Sequence, residues 1–334
     1  MAKSVKMADI AEKLGVSIVT VSKALNGKDG VGSVLRSDII RTAREMGYEL
    51  SKSVADKKKS LVIGILNSCV YLEKGTSFYW GLYEKLLKHL MNVDNIGILE
   101  VINQSAQDEC SVPKLVKDKR VDGLIVMGNF SDNYMKMLSS LDMPMVMLDA
   151  YNADYNYDTV ISDGYYGMYI MTNYLIKQGH RKIAFVGTVG EANIMTDRFY
   201  GYCRAMTEAG ININKNMIIS DRITTAKVNI NIPPDIAEKY TALACCCDYS
   251  AYESLHILNS MGIKVPDDIS IVGFDNYILS EVTPVKITTY EVNQSKMASE
   301  SVRQICERIE NPIKLRETVT INGNIIIRDS VRKM

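Results

Sequence analysis

The sequence predicts an α/β protein in which a small helical head precedes a larger body of parallel sheets. Three observations carry this expectation. Residues Met7–Leu25 have the apolar spacing of two short helices joined by a tight turn, and residues 51–60 are polar and basic. From Leu61 onward, β-rich runs alternate with helical patterns.

In the head, Ile10, Ala11 and Leu14 share one helical face, and Gly15 follows where a left-handed residue can end the helix. Ser17 is a good cap for a second helix, on which Val21, Ala24 and Leu25 face inward. This is helix-turn-helix spacing, whose second helix is the usual major-groove reader, although an ordinary αα-hairpin has the same periodicity. Leu35, Ile39, Ile40, Ala43 and Met46 give a third helix from Gly32 or Ser33 to about Met46, ended by Gly47-Tyr48. SKSVADKKKS, 51–60, reads as a linker, so the expected division is a head at 1–50, a hinge at 51–60 and a body at 61–334.

The body opens with the β-rich runs LVIGIL (61–66), IGILEVI (96–102), GLIVM (123–127) and MVMLD (145–149), with helical patterns near 78–91, 110–118 and 131–141. A second series follows: helices near 164–178, 197–209 and 249–261, and strands at 182–187, 217–220, 241–246 and 269–274. Alternation of this length argues parallel sheets with right-handed crossovers. One sheet holding every strand would be unusually large, so two lobes are expected, with a ligand cleft beyond the carboxyl ends of their strands. Residues 222–234 fit neither series and read as an irregular loop.

Net charge is zero over 334 residues, but residues 1–60 carry 12 Lys and Arg against 7 Asp and Glu, and the remainder 27 against 32. A basic head on an acidic body suits a head that meets phosphate. No apolar signal follows Met1 and no run nears 18 apolar residues, so a cytoplasmic protein with no membrane partner is expected. The seven cysteines are odd in number and form no C-x-x-C pair, and Cys245-Cys246-Cys247 read as reduced thiols in a buried strand. There is no G-x-S-x-G elbow, Walker A loop or H-E-x-x-H, and His89, His180 and His256 are far apart. No enzyme, cofactor or metal centre is implied.

The polar candidates sit at strand ends or helix starts: Asp149, Asp163, Asp197-Arg198 in D-R-x-x-G-Y, Asp248 and Asp275. Carboxylates and a guanidinium converging on a cleft bind vicinal hydroxyls through paired hydrogen bonds. For Asp163 and Asp248, capping the following helix is an equal alternative.

The run A-x-x-x-G-V-S-x-x-T-V-S-x-x-L-N at Ala11–Asn26, followed by Gly47-Tyr48, closely resembles the DNA-binding head of the LacI/GalR family of bacterial transcription regulators. The resemblance extends over nearly the whole chain. It implies a two-lobed, periplasmic-binding-protein-like body with crossovers near 161, 290 and 321. Lobe 1 would hold about 61–160 and 291–320, and lobe 2 about 161–290 and 321–334. It further implies a homodimer on palindromic double-stranded operator DNA, controlled by a small effector, a sugar or sugar derivative. A solute-binding protein of a transport system shares the two lobes and is the alternative.

By the same resemblance, Ile18 and Val19 read bases with Lys23 one turn later, Thr20, Ser22 and Asn26 hold phosphates, and Ser17 is a solvent-facing position of the same DNA-binding helix. Asp163, Arg198 and Asp275 match effector contacts, and Phe78 and Tyr79 match the cleft mouth, whereas Trp80 and Tyr83 read equally well as core. Cys247 stands where relatives often have Asn, before Asp248, and Ala150 where many have Arg. Relatives also carry a hinge leucine that wedges into the minor groove. Here Lys57 or Ala55 occupies that place, and Lys57, Lys58 and Lys59 suit phosphate instead, so a weakly bent, salt-sensitive operator complex is expected.

Overall fold

A computed structural model describes residues 5–25, 30–46, 48, 60–72, 78–152, 154–155, 157–190, 192–224 and 227–334. The chain divides into two compact units, Met1–Ser60 and Leu61–Met334.

The first unit holds α1 (Met7–Leu14), α2 (Ile18–Leu25) and α3 (Ser33–Glu45). Gly15 ends α1 at φ +64°, where its N–H reaches the Ala11 and Glu12 carbonyls. A side chain there would force an L-residue into the left-handed region, so this glycine sets the turn. Ile10, Ala11, Val21, Ala24, Ile39 and Ala43 form a small core shared by all three helices.

The second unit begins with β1 (Val62–Ser68), α4 (Phe78–Asn92), β2 (Ile96–Ile102), α5 (Gln104–Asp108), α6 (Lys114–Lys117), β3 (Gly123–Met127), α7 (Asp132–Ser139), β4 (Met145–Leu148) and β5 (Asp158–Ser162). It continues through α8 (Gly164–Lys177), β6 (Ile183–Val186), α9 (Asn193–Glu208), β7 (Ile218–Ile219), β8 (Arg222–Thr224), β9 (Lys227–Val228), α10 (Ile236–Lys239) and β10 (Ala242–Cys245). It closes with α11 (Asp248–Ser260), β11 (Ser270–Asp275), β12 (Thr288–Glu291), α12 (Gln294–Glu310), β13 (Thr318–Ile321) and β14 (Asn324–Ile326).

Two six-stranded sheets result, ordered β13-β5-β4-β3-β1-β2 and β14-β12-β11-β10-β6-β7. The first is parallel throughout, and the second is parallel except where β14 runs against β12. Buried on both faces, β3, β4, β6 and β10 read as continuous apolar runs rather than alternating ones. The chain passes between sheets after β5, after β12 and after β13. α12 is tied back to the first sheet by Arg308, whose Nε and Nη2 donate to the buried Asp158 carboxylate at 2.7 and 3.1 Å.

Two expectations need correction. The helix expected from residue 197 begins at Asn193, so Asp197 and Arg198 lie in its second turn. Within the stretch expected to be irregular, residues 222–224 and 227–228 form the antiparallel pair β8–β9, and α10 follows. Close packing of α8 on α9 requires Gly201, because a Cβ there would lie 2.1 Å from the Tyr165 carbonyl oxygen.

Candidate functional sites

On the head, α2 buries Val21 and Ala24 and leaves Ile18 and Val19 53% and 64% exposed. Two large apolar side chains held in solvent at the start of a helix have no folding role, and they suit contact with thymine methyls. Ser17 caps α2, accepting from the Thr20 N–H at 3.0 Å, with its hydroxyl 2.8 Å from Thr20 Oγ1. Lys23 is exposed one turn beyond Val19, and Thr20 and Ser22 are half-buried beside it. Ser17, Ile18, Val19, Thr20, Ser22 and Lys23 thus belong to one short helix and its cap, whereas Asn26 and Lys57 lie outside the described residues.

In the body, the strand-end residues converge on Arg198. Its Nη1 donates to the Cys246 carbonyl at 2.6 Å and its Nη2 pairs with Asp275 Oδ1 at 3.1 Å. The guanidinium carbon stands 3.9 Å from the Phe274 ring centroid. Burial works against the charged guanidinium, but Asp275 and Asp149 hold its pKa above the ordinary value. Arg198 Nε is buried without a partner.

Asp149 lies just past β4 and Asp275 ends β11, with φ of 58° and 115°. Such backbone costs about 1–3 kcal/mol per residue and concentrates at functional sites. Tyr79 donates its hydroxyl to Asp149 Oδ2 at 2.9 Å, while Asp149 Oδ1 is buried and unpaired. Burial raises the Asp149 pKa to about 6, against the pull of Arg198 and Tyr79. Burial likewise holds Asp275 well above the usual carboxylate range, with Arg198 opposing. The Tyr79 phenol is pushed far up by burial and stays a donor.

Aromatic rings flank this polar centre. Tyr71 and Tyr79 lie 4.6 Å apart between centroids, and Phe78 meets Tyr79 edge-on at 5.5 Å. Trp80, by contrast, is 37% exposed rather than core. A polar cavity of about 330 Å³ opens beside Tyr71, near the carboxyl ends of β1 and β3.

The remaining aspartates are engaged locally. Asp163 caps α8 by accepting from the Tyr166 N–H at 2.8 Å, yet it sits close enough to Asp197 to raise that residue's pKa, a shift due first to burial. Asp248 is fully buried and accepts from Thr289 Oγ1 at 2.6 Å and the Tyr277 N–H at 2.9 Å. Its Oδ2 holds the segment after β11 and its Oδ1 holds β12, so it supports Asp275 from within its own lobe. Burial lifts its pKa to about 7. Cys247, not Asp248, takes the capping position of α11. His180 is buried, with Nδ1 2.9 Å from Thr241 Oγ1 and Nε2 3.1 Å from the Arg332 carbonyl oxygen, which is a structural role.

Sequence reasoning missed Tyr151 and Arg222. Tyr151 follows β4, and its hydroxyl donates to Asp197 at 2.9 and 3.0 Å, while Asn193 Nδ2 donates to the Tyr151 carbonyl at 2.7 Å. These bonds join the two lobes. Arg222 opens β8, forms a two-bond pair with Asp221 at 3.0 and 2.7 Å, and is close enough to act electrostatically on Tyr71 of the facing lobe. Both follow a strand end, the signal that made Asp149 and Asp275 candidates.

The centre therefore presents a buried acceptor, Asp149 Oδ1, and a buried donor, Arg198 Nε, without protein partners, beside aromatic faces. Its guanidiniums are already paired with carboxylates, so a further anion gains little there.

A model of bacterial regulatory proteins of the lacI family matches residues 6–51, and a periplasmic binding protein-like domain matches residues 172–331. The chain is 27% identical over 341 residues to the HTH-type transcriptional regulator RegA of Clostridium saccharobutylicum, covering 99% of both. It is 26% identical to the HTH-type transcriptional repressor PurR of Histophilus somni, covering 98% of both. Among solved structures, a transcriptional regulator CelR–cellobiose complex superposes with a TM-score of 0.71 at 20% identity, over 98% of this chain and 99% of that one.

Proposed function

The chain belongs to the lacI family of bacterial regulatory proteins, DNA-binding transcriptional repressors, and from that premise we propose that its body senses a neutral, hydroxylated small molecule, a sugar or sugar derivative. The observation that carries this reading is the unfilled pair at the centre of the body, Asp149 Oδ1 and Arg198 Nε. A sugar hydroxyl donates to the first and accepts from the second, and the ring's apolar face lies on an aromatic.

In this reading Phe78, Tyr79, Asp149, Arg198, Asp275 and Arg222 form the effector site, with Cys247 at its edge. The head reads one operator half-site through Ile18, Val19 and Lys23, in the cytoplasm where its DNA is. One such head buries too little surface for specific affinity, so two chains act as a homodimer on a palindrome. Effector binding favours the closed lobes latched by Tyr151, and operator affinity changes by the differential affinity of the ligand for the two states.

Calorimetric titration with pentoses, hexoses, disaccharides and purine bases tests the ligand class. Binding of a sugar that shifts operator affinity supports the proposal. A purine base that binds while every sugar fails would replace it.

A further inference from the structure

Beside the effector centre, two elements distant in sequence bring a carboxylate and two thiols together. Asp221 follows β7, Cys246 follows β10, and Cys247 caps α11. Their ligand atoms lie within 4.8 Å of one another, a grouping of metal-binding side chains found nowhere else among the described residues. We propose that Asp221, Cys246 and Cys247 form a binding site for a divalent ion of the zinc class. This site adjoins the effector centre, sharing Cys247 at its edge and Arg222 beside Asp221, and does not depend on the effector being a sugar.

The separation of Cys246 from Asp221 suits such an ion. Tetrahedral zinc with Zn–S of about 2.3 Å and Zn–O of about 2.0 Å sets S···O near 3.5 Å and S···S near 3.8 Å. Cys246 Sγ lies 3.2 Å from Asp221 Oδ2, where the thiol proton now bridges. The ion takes the place of that proton after an expansion of a few tenths of an ångström. Cys247 Sγ is 3.2 Å from Ser250 Oγ, which itself donates to Asp221 Oδ2 at 2.5 Å, so a hydroxyl borders the site.

Asp221 binds through Oδ2, which also accepts from Arg222 Nη2 at 2.7 Å. Its Oδ1 keeps the Thr188 N–H and Arg222 Nε, at 2.9 and 3.0 Å. These second bonds orient the ligand, as outer partners do in known metal sites. In binding, two S–H bonds break, two Zn–S bonds and one Zn–O bond form, and two protons pass to solvent.

Charge decides in favour of a divalent ion. Asp221 is balanced by Arg222, and two thiolates balance a charge of two, so the loaded site is neutral in a buried place. Two adjacent sulfurs favour a borderline-soft metal over magnesium or calcium, which prefer oxygen.

The test uses the full chain, reduced with a phosphine and freed of metal, titrated with Co(II) and then Zn(II). One equivalent of Co(II) per chain should give the thiolate charge-transfer and tetrahedral visible bands, and Zn(II) should displace it. Cys246→Ser and Cys247→Ser should each weaken Zn(II) binding by at least about 100-fold, while Cys110→Ser, remote in the first lobe, should not. Should a serine variant fail to fold, mass mapping of alkylated thiols in the unaltered protein decides. Zn(II) must then protect Cys246 and Cys247 and leave Cys69 and Cys110 reactive. Absence of the Co(II) bands, bands surviving in both serine variants, or protection at other cysteines overturns the proposal.

Discussion

Arg198 and Asp275 are 77 positions apart in sequence and form a buried ion pair at 3.1 Å, with their side chains 5% and 11% exposed. The pair joins the second turn of α9 to the end of β11 and leaves Arg198 Nε available. Arg198→Ala should raise the effector Kd by about 100-fold, the equivalent of losing about 3 kcal/mol of charge-assisted hydrogen bonds. The ligand-induced rise in Tm should vanish with it. Stability should fall less than for an ordinary broken pair, because Asp275 already binds its proton readily and can be neutralised. An effector Kd unchanged by the substitution would remove Arg198 from the site.

Asp149 predicts a pH dependence of defined sign. Its pKa is about 6 in the folded chain against an ordinary 3.8, so the folded state binds more protons between those values. Its contribution is therefore most favourable below about pH 4 and declines as pH rises through 6, by about 3 kcal/mol in all at 1.36 kcal/mol per unit. Asp149→Asn should flatten that portion of the stability profile, measured by urea unfolding from pH 4 to 7. A profile as steep as that of the unaltered chain would contradict the assignment.

Tyr151 supplies a test of lobe closure. Tyr151→Phe removes the hydroxyl that donates to both Asp197 oxygens and keeps the ring. The closed body should lose about 1.5–3 kcal/mol, the value of a hydrogen bond to a charged group, and effector affinity should fall roughly 10- to 100-fold. Small-angle scattering should show a more open body. If affinity and scattering both stay as they were, closure does not depend on this bond.

The head is tested at Lys23, exposed on α2. Lys23→Ala should cost about 1–3 kcal/mol on the true operator and relax the preference at one base position. Binding of the unaltered protein should also weaken steeply with salt, as phosphate contacts release counterions. Selection of bound sequences from a random pool, run on both proteins, reads the base preference directly. An identical preference with and without Lys23 would place base reading on other residues.

The sequence alone was sufficient for whatever depends on near neighbours. The helix-turn-helix was legible because its signals, from Ile10 to Leu25, fall within a few helical turns, and Gly15 occupies the single position where the backbone needs φ +64°. The strands were legible because parallel sheets bury both faces, leaving continuous apolar runs such as Gly123–Met127. Asp149 and Asp275 could be chosen because ligands gather at the carboxyl ends of such strands.

Other features arose only when distant segments met. The start of α9 was misplaced because its capping position is Ala192, which has no side chain to cap with and so leaves no mark in the sequence. The β8–β9 pair is too short for periodicity, so residues 222–234 read as a loop and Arg222 was not weighed as a strand-end candidate. The same strand-end rule that found Asp275 also selected Asp248, yet packing against Gly273, Thr289 and Tyr277 turned that carboxylate inward. Whether a polar side chain meets a ligand or supports its neighbour depends on which partners satisfy it, and those partners come from elements that only the tertiary fold brings together.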